Sequence, residues 1–123
     1  MRELSFAEFV DRRSRFHAHL YEIESLEEVK EILKLHRRNH RKARHHCLAA
    51  RKRRGDRVEE ARRNDGEVGH PGQVLMELLR REDLDSHCLM VSRIFGGVKL
   101  GAGGVSRAFR QAGEMAIMKM RKG

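Results

Sequence analysis

Residues 90–109 read MVSRIFGGVKLGAGGVSRAF, and they decide the fold. The apolar run His87–Phe95 has the character of a central strand. Five of the nine residues from Gly96 to Gly104 are glycine. After them Val105, Ala108, Phe109, Ala112, Met115 and Ala116 keep helical spacing almost to the last residue. Strand, glycine turn and amphipathic helix thus follow without a break. Glycine at this density lets the backbone take positive φ and approach a ligand or another segment closely. Amides at the start of the next helix would attract an anion, and Arg93, Lys99 and Arg107 lie in or beside the turn. Gly101, Gly103, Gly104 and these three cations are therefore candidate anion-binding residues. The turn matches no standard nucleotide motif. Lys99 is followed by Leu100 where a Walker loop needs Ser or Thr, and Ser106 stands where a dinucleotide loop needs its third glycine.

Working back from the turn, Arg15–Ile23 alternates, with Phe16, Ala18 and Leu20 on one side and His17, His19 and Tyr21 on the other, as a strand does. Ser25 and Glu28 have the spacing of a capping box, opening a helix whose stripe is Leu26, Val29, Ile32 and Leu33 and which ends near His40. Ala43–Arg51 reads as a second strand, Gly55-Asp56 as a turn, and Arg57–Arg63 as a polar strand completing a hairpin. Gly66, Gly69, Pro71 and Gly72 precede a short helix carrying Val74, Leu75, Leu78 and Leu79. The order β-α-β-β-α-β-α points to an α+β two-layer sandwich formed by a single domain over residues 1–123.

The composition, 39% apolar and 37% charged, is that of a folded, highly charged chain. No apolar run reaches the length of a membrane span. The N-terminus is too polar for a secretory signal, so the expectation is a cytoplasmic protein with Cys47 and Cys88 reduced. The net charge of +9 is concentrated. Twelve Lys and Arg between Arg37 and Arg63 face only Asp56, Glu59 and Glu60, which leaves the whole excess in that segment. Such a block would attract RNA, the ribosome or an acidic protein surface, with Arg51, Lys52, Arg53 and Arg54 at its centre.

His45, His46, Cys47, His70, His87 and Cys88 lack metal-ligand spacing, and no metal or cofactor is expected of them. His45, Asp65 and Glu67 form a possible polar site, as acid–base groups or as turn and helix caps. No nucleophile elbow is present, and neither serine beside the glycine turn has a recognisable base. Two readings result: a non-enzymatic nucleic-acid-binding or acidic-partner-binding protein, or an enzyme or receptor for a phosphorylated small molecule.

Three segments together resemble the IMPACT family of YigZ-like proteins. Ala43-Arg-His45-His-Cys47-Leu-Ala49-Ala-Arg51 is similar to its Ala-x-His-Asn-Cys-x-Ala-x-Arg strand, and Asn64-Asp65-Gly66-Glu67-Val68-Gly69 to its Asp-Asp-Gly-Glu-Pro-x-Gly segment. Arg93–Phe109 resembles Arg-Tyr-Phe-Gly-Gly-Ile-Lys-Leu-Gly-x-Gly-Gly-Leu-x-Arg-Ala-Tyr. Asn64 and Val68 depart from the pattern, and the Gly-Thr-Ala-Gly stretch is shortened to Gly69-His70-Pro71-Gly72. The resemblance implies a left-handed β-α-β architecture similar to the second domain of a small-subunit ribosomal protein and to domain IV of elongation factor G. It also implies an association with translation, which eukaryotic members regulate by restraining a stress kinase on the ribosome. Relatives carry a further domain, ferredoxin-like in bacteria and RWD in eukaryotes, so the chain reads as the family's core domain alone.

Overall fold

In the computed structural model, which describes all of residues 1–123, the elements are β1 (Arg2–Asp11), β2 (Ser14–Glu22), α1 (Glu28–Asn39), β3 (His45–Arg54), β4 (Arg57–Arg63), α2 (Pro71–Arg81), β5 (Ser86–Ile94) and α3 (Gly101–Lys122). The expected order is present with one strand added in front. That strand, β1, pairs with β2 in a hairpin closed by Asp11 and Ser14. The two linking residues, Arg12 and Arg13, have φ of 46° and 71°. Two successive positive φ angles match the right-handed twist of a hairpin, a geometry that normally selects Asn-Gly. Here two arginines adopt it.

The sheet order is β1-β2-β5-β3-β4, and every neighbouring pair is antiparallel. Because β2 and β3 both oppose β5, they run parallel to each other and are joined across it by α1. In the same way β4 and β5 flank β3 and are joined by α2. Strand alternation divides the side chains between two faces. Phe16, Ala18 and Leu20 of β2, Cys47 and Ala49 of β3, and Leu89 and Val91 of β5 meet α2 and α3 in a core of 20 buried residues. Phe16 and Phe109 pack edge to face, 5.2 Å between centroids, an arrangement worth about 0.5–1.5 kcal/mol beyond the area it buries. Gly113 lets α3 approach this closely, since a Cβ there would stand 2.8 Å from Leu78 Cδ1.

The opposite face carries α1 over a smaller cluster of seven: Tyr21, Ile23, Ile32, Leu48, Ala50, Cys88 and Met90. The capping motif that opens α1 is displaced from its expected form. Ser25 Oγ accepts from the Glu27 amide and Glu28 Oε2 from the Glu24 amide, each at 3.1 Å. The helix consequently starts at Glu28. No helix is long and apolar enough to cross a membrane.

Candidate functional site

The glycine turn is first a joint. A Cβ on Gly96 would stand 2.2 Å from the carbonyl carbon of Arg13, so the loop after β5 lies directly on the β1–β2 turn. Ser14 Oγ accepts from the Gly96 amide at 3.2 Å and from Arg93 Nη2 at 3.5 Å. Gly97 and Gly101 have φ of +86° and +72° and face open space, so they serve the path of the chain. Gly103 and Gly104 lie inside the first turn of α3, with Arg107 lying back along them. Gly69 packs on the same helix start: a Cβ there would stand 2.6 Å from the Ala102 carbonyl, and Ser106 Oγ donates to the Gly69 carbonyl at 2.6 Å. Lys99 is exposed in the loop, as are Val98 and Phe95.

His45 and Arg93 are cross-strand partners at one end of the sheet. Arg93 Nη1 donates to Glu67 Oε2 at 3.0 Å, and the two side chains are only 7% and 4% exposed. The guanidinium lies 5.6 Å from the Phe16 ring and 5.8 Å from the Phe95 ring, sandwiched between them. His45 Nδ1 contacts the Asp65 carbonyl at 3.0 Å, and its Nε2 stands 3.8 Å from Glu67 Oε2. The sheet end therefore brings together His45, Glu67 and Arg93, with Arg44 and Phe95 completing a shallow cleft. Asp65 sends its carboxylate elsewhere, accepting from the His46 amide at 2.8 Å and from Arg63 at 2.5 Å. Burial alone would raise the Asp65 carboxyl, but these two donors outweigh it and hold it below the usual carboxylate range. Lys99 and Arg107 form no ion pair and stand apart from the cleft lining, Arg107 bordering a depression with Arg110 and Gln111 on the outer side of α3.

The basic block is two regions. On β3 of the hairpin the cations are partnered, Arg51 Nε with Glu60 at 3.0 Å, Arg53 with Asp85 at 2.5 Å, Arg54 with Glu59 at 2.6 Å, and Lys52 with Ser86 Oγ at 3.3 Å, while Arg57 and Arg62 on β4 are exposed and unpaired. Glu60 also takes Arg80, whose hydrogen bond, with that of Arg51, holds its carboxyl below the usual range. By contrast Arg37, Arg38, Arg41, Lys42 and Arg44, from the end of α1 to the start of β3, form no ion pair, and all five are exposed.

Residues 12–117, which carry all of these features, match the model of the Impact N-terminal domain. The chain belongs to the IMPACT family. It is 36% identical over 110 residues to the IMPACT family member YvyE of Bacillus subtilis, covering 89% of this chain and 50% of that protein. It is 32% identical over 108 residues to an IMPACT family member of Haemophilus influenzae, covering 86% of this chain and 52% of the relative. The chain thus spans about half the length of the curated relatives it matches. Among solved structures, a hypothetical protein is similar with a TM-score of 0.85 at 27% identity, over 94% of this chain and 57% of that one. The two-domain translational regulator Yih1 is similar with a TM-score of 0.64 at 24% identity, over 96% of this chain and 46% of that one, a likeness that shows the fold.

The IMPACT domain holds a second polar cluster that the sequence reading passes over. Under α1, Tyr21 Oη meets His36 Nε2 at 2.9 Å, and Ser92 Oγ meets both His36 Nδ1 at 3.0 Å and His46 Nδ1 at 2.7 Å. Burial, followed by neighbouring imidazoles, pushes His36 down to about 2 and His40 down to about 4. A signal existed: His36 and His40 are one helical turn apart, and His17 and His19 alternate on one strand. The histidines and cysteines of β3 and β5 diverge instead. His45 and His46 point to opposite faces, Cys47 Sγ donates to the Asn64 carbonyl at 3.2 Å, and burial pushes the Cys88 thiol up to about 12.

Proposed function

We propose that this IMPACT domain is a non-enzymatic, cytoplasmic module of the translation apparatus that binds RNA through backbone phosphates. The observation that carries the reading is the difference between the two basic regions. Arg37, Arg38, Arg41, Lys42 and Arg44 keep their charge free of carboxylates, whereas Arg51, Arg53 and Arg54 are neutralised by Glu60, Asp85 and Glu59. Free cations release counterions from a phosphate backbone, and neutralised ones do so weakly. Exposed Phe95, beside Arg44 in the cleft, offers a base a stacking surface. The family membership and the description of Yih1 as a translational regulator support a place near the ribosome. A phosphorylated metabolite is less well served. Arg93 is neutralised by Glu67, Asp65 has both carboxylate oxygens occupied, and Lys99 and Arg107 lie outside the cleft lining.

Fluorescence anisotropy with a labelled single-stranded RNA across a salt series tests the reading. The logarithm of the affinity should fall linearly with the logarithm of salt. The triple variant R41A/K42A/R44A should lower the magnitude of the slope by about 2, from about 0.7 per lost phosphate contact. R51A/R53A/R54A should change it by less than half as much. Absence of binding at low salt, or equal effects of the two variants, overturns the proposal, as does capture of an acidic protein by a chain with no RNA affinity.

A further inference from the structure

We propose that His19, His36 and His40 form a binding site for one divalent transition-metal ion of the zinc class, on the sheet face opposite the Arg93–Glu67 pair. The nearest ring nitrogens of the three residues all lie within 4.8 Å of one another. His19 Nε2 and His40 Nε2 stand 3.1 Å apart. Two imidazole nitrogens bound to one tetrahedral zinc at about 2.0–2.1 Å are separated by about 3.3 Å, so this pair already has the spacing of two ligands.

The surroundings complete the argument. His19 Nδ1 contacts the carboxylate of Glu3, which can only accept, so the ring proton sits on Nδ1 and Nε2 presents its lone pair toward His40. A carboxylate behind a histidine, fixing its tautomer and raising its basicity, is the usual second partner of a metal-bound imidazole. The His17 ring stacks on His40 at 4.6 Å between centroids and 19° between planes, which fixes the His40 ring. Ser92 holds His46, and in the metal-free cluster Ser92 and Tyr21 hydrogen-bond the two ring nitrogens of His36, so a metal ion takes the place of one of those two bonds. Without metal, His40 Nε2–H donates to His19 Nε2, a proton that a metal ion between the two would replace, and His17 Nδ1 is buried without a partner. Glu3 and Glu8, the latter 3.5 Å from His17 Nε2, supply the negative charge that a dication needs. Both belong to β1, which precedes the residues 12–117 matched by the family model. Three imidazoles without a thiolate suit zinc, nickel, copper or cobalt, and they leave a fourth position to water.

The test uses the full chain, stripped with a chelator, and adds Zn²⁺ and Co²⁺ salts. Wild type should take up one equivalent of Zn²⁺, melt at a higher temperature with free Zn²⁺ present, and give Co²⁺ the intense visible absorption of a four-coordinate nitrogen site. His40→Gln and His19→Gln should each weaken Zn²⁺ at least tenfold, and Glu3→Gln by about 10–100-fold, the range for a group behind a ligand. His70→Gln, on an exposed histidine elsewhere, should leave the affinity unchanged. A wild-type chain with neither the Co²⁺ absorption nor the thermal shift overturns the proposal, whatever the variants do. So does Zn²⁺ bound equally by wild type and by folded His19→Gln and His40→Gln.

Discussion

The same strands furnish both faces of the sheet, yet the faces differ in kind. Strand β2 sends Phe16, Ala18 and Leu20 toward α2 and α3, and His17, His19 and Tyr21 toward α1. Strand β5 sends Leu89 and Val91 one way and Met90 and Ser92 the other. On the first face stabilisation comes from apolar area and close packing. On the second a small apolar cluster shares its space with imidazoles whose positions depend on directional partners. Packing tolerates small shifts by repacking, whereas a buried polar network fails when a single partner is removed. The first face keeps its polar groups at one end, in the Arg93–Glu67 pair, while the second places them under a helix.

Three substitutions sharpen that contrast. Phe109→Ala, on the face of α2 and α3, should cost about 3–5 kcal/mol in urea unfolding, because Phe109 is fully buried against Phe16 and leaves a cavity. A loss much below that would show that the large core can collapse around the gap. Ser92→Ala, on the α1 face, removes only one oxygen but strands His36 Nδ1 and His46 Nδ1. A loss of about 1–3 kcal/mol is expected. If Ser92→Ala is neutral, the second face is held by its apolar cluster and not by its polar partners. The smallest effect concerns Asp65, which links β3 to the loop after β4. Its folded carboxyl lies below the usual value, so between the folded and unfolded values the unfolded chain binds more protons and stability rises with pH. That contribution is complete above the ordinary carboxylate range and is lost as pH falls through the folded value. Asp65→Asn should lower stability by about 1 kcal/mol at neutral pH and converge with wild type in acid, read as the difference between their urea midpoints.

Most of the fold was legible because its signals are local. The period of two in Arg15–Ile23, the stripe of α1 and the strand–glycine–helix passage of residues 90–109 each name their element without help from distant residues. Strand β1 was not legible, for two physical reasons. It is an edge strand whose pattern is broken by a register shift between Glu3 and Ser5. Its turn also uses Arg12-Arg13 at positive φ, so the glycine or asparagine that marks a tight hairpin is missing. At the cleft, His45, Glu67 and Arg93 could be named individually. Their meeting depends on the β3–β5 register and on a loop 26 residues away from Arg93. The imidazole cluster carried a readable spacing in His36 and His40, but its remaining members come from β2 and β3. Only the crossing of α1 over the sheet brings them together.

Ser92 has one more consequence. Its hydroxyl owns a single proton yet touches a ring nitrogen of both His36 and His46. If it donates to one imidazole, it must accept from the other, so the two rings cannot choose their tautomers independently. A proton that moves from one nitrogen to the other on His36 obliges Ser92 to turn and His46 to exchange its own. The tautomer of a residue on the helix and that of a residue on the strand are therefore set together.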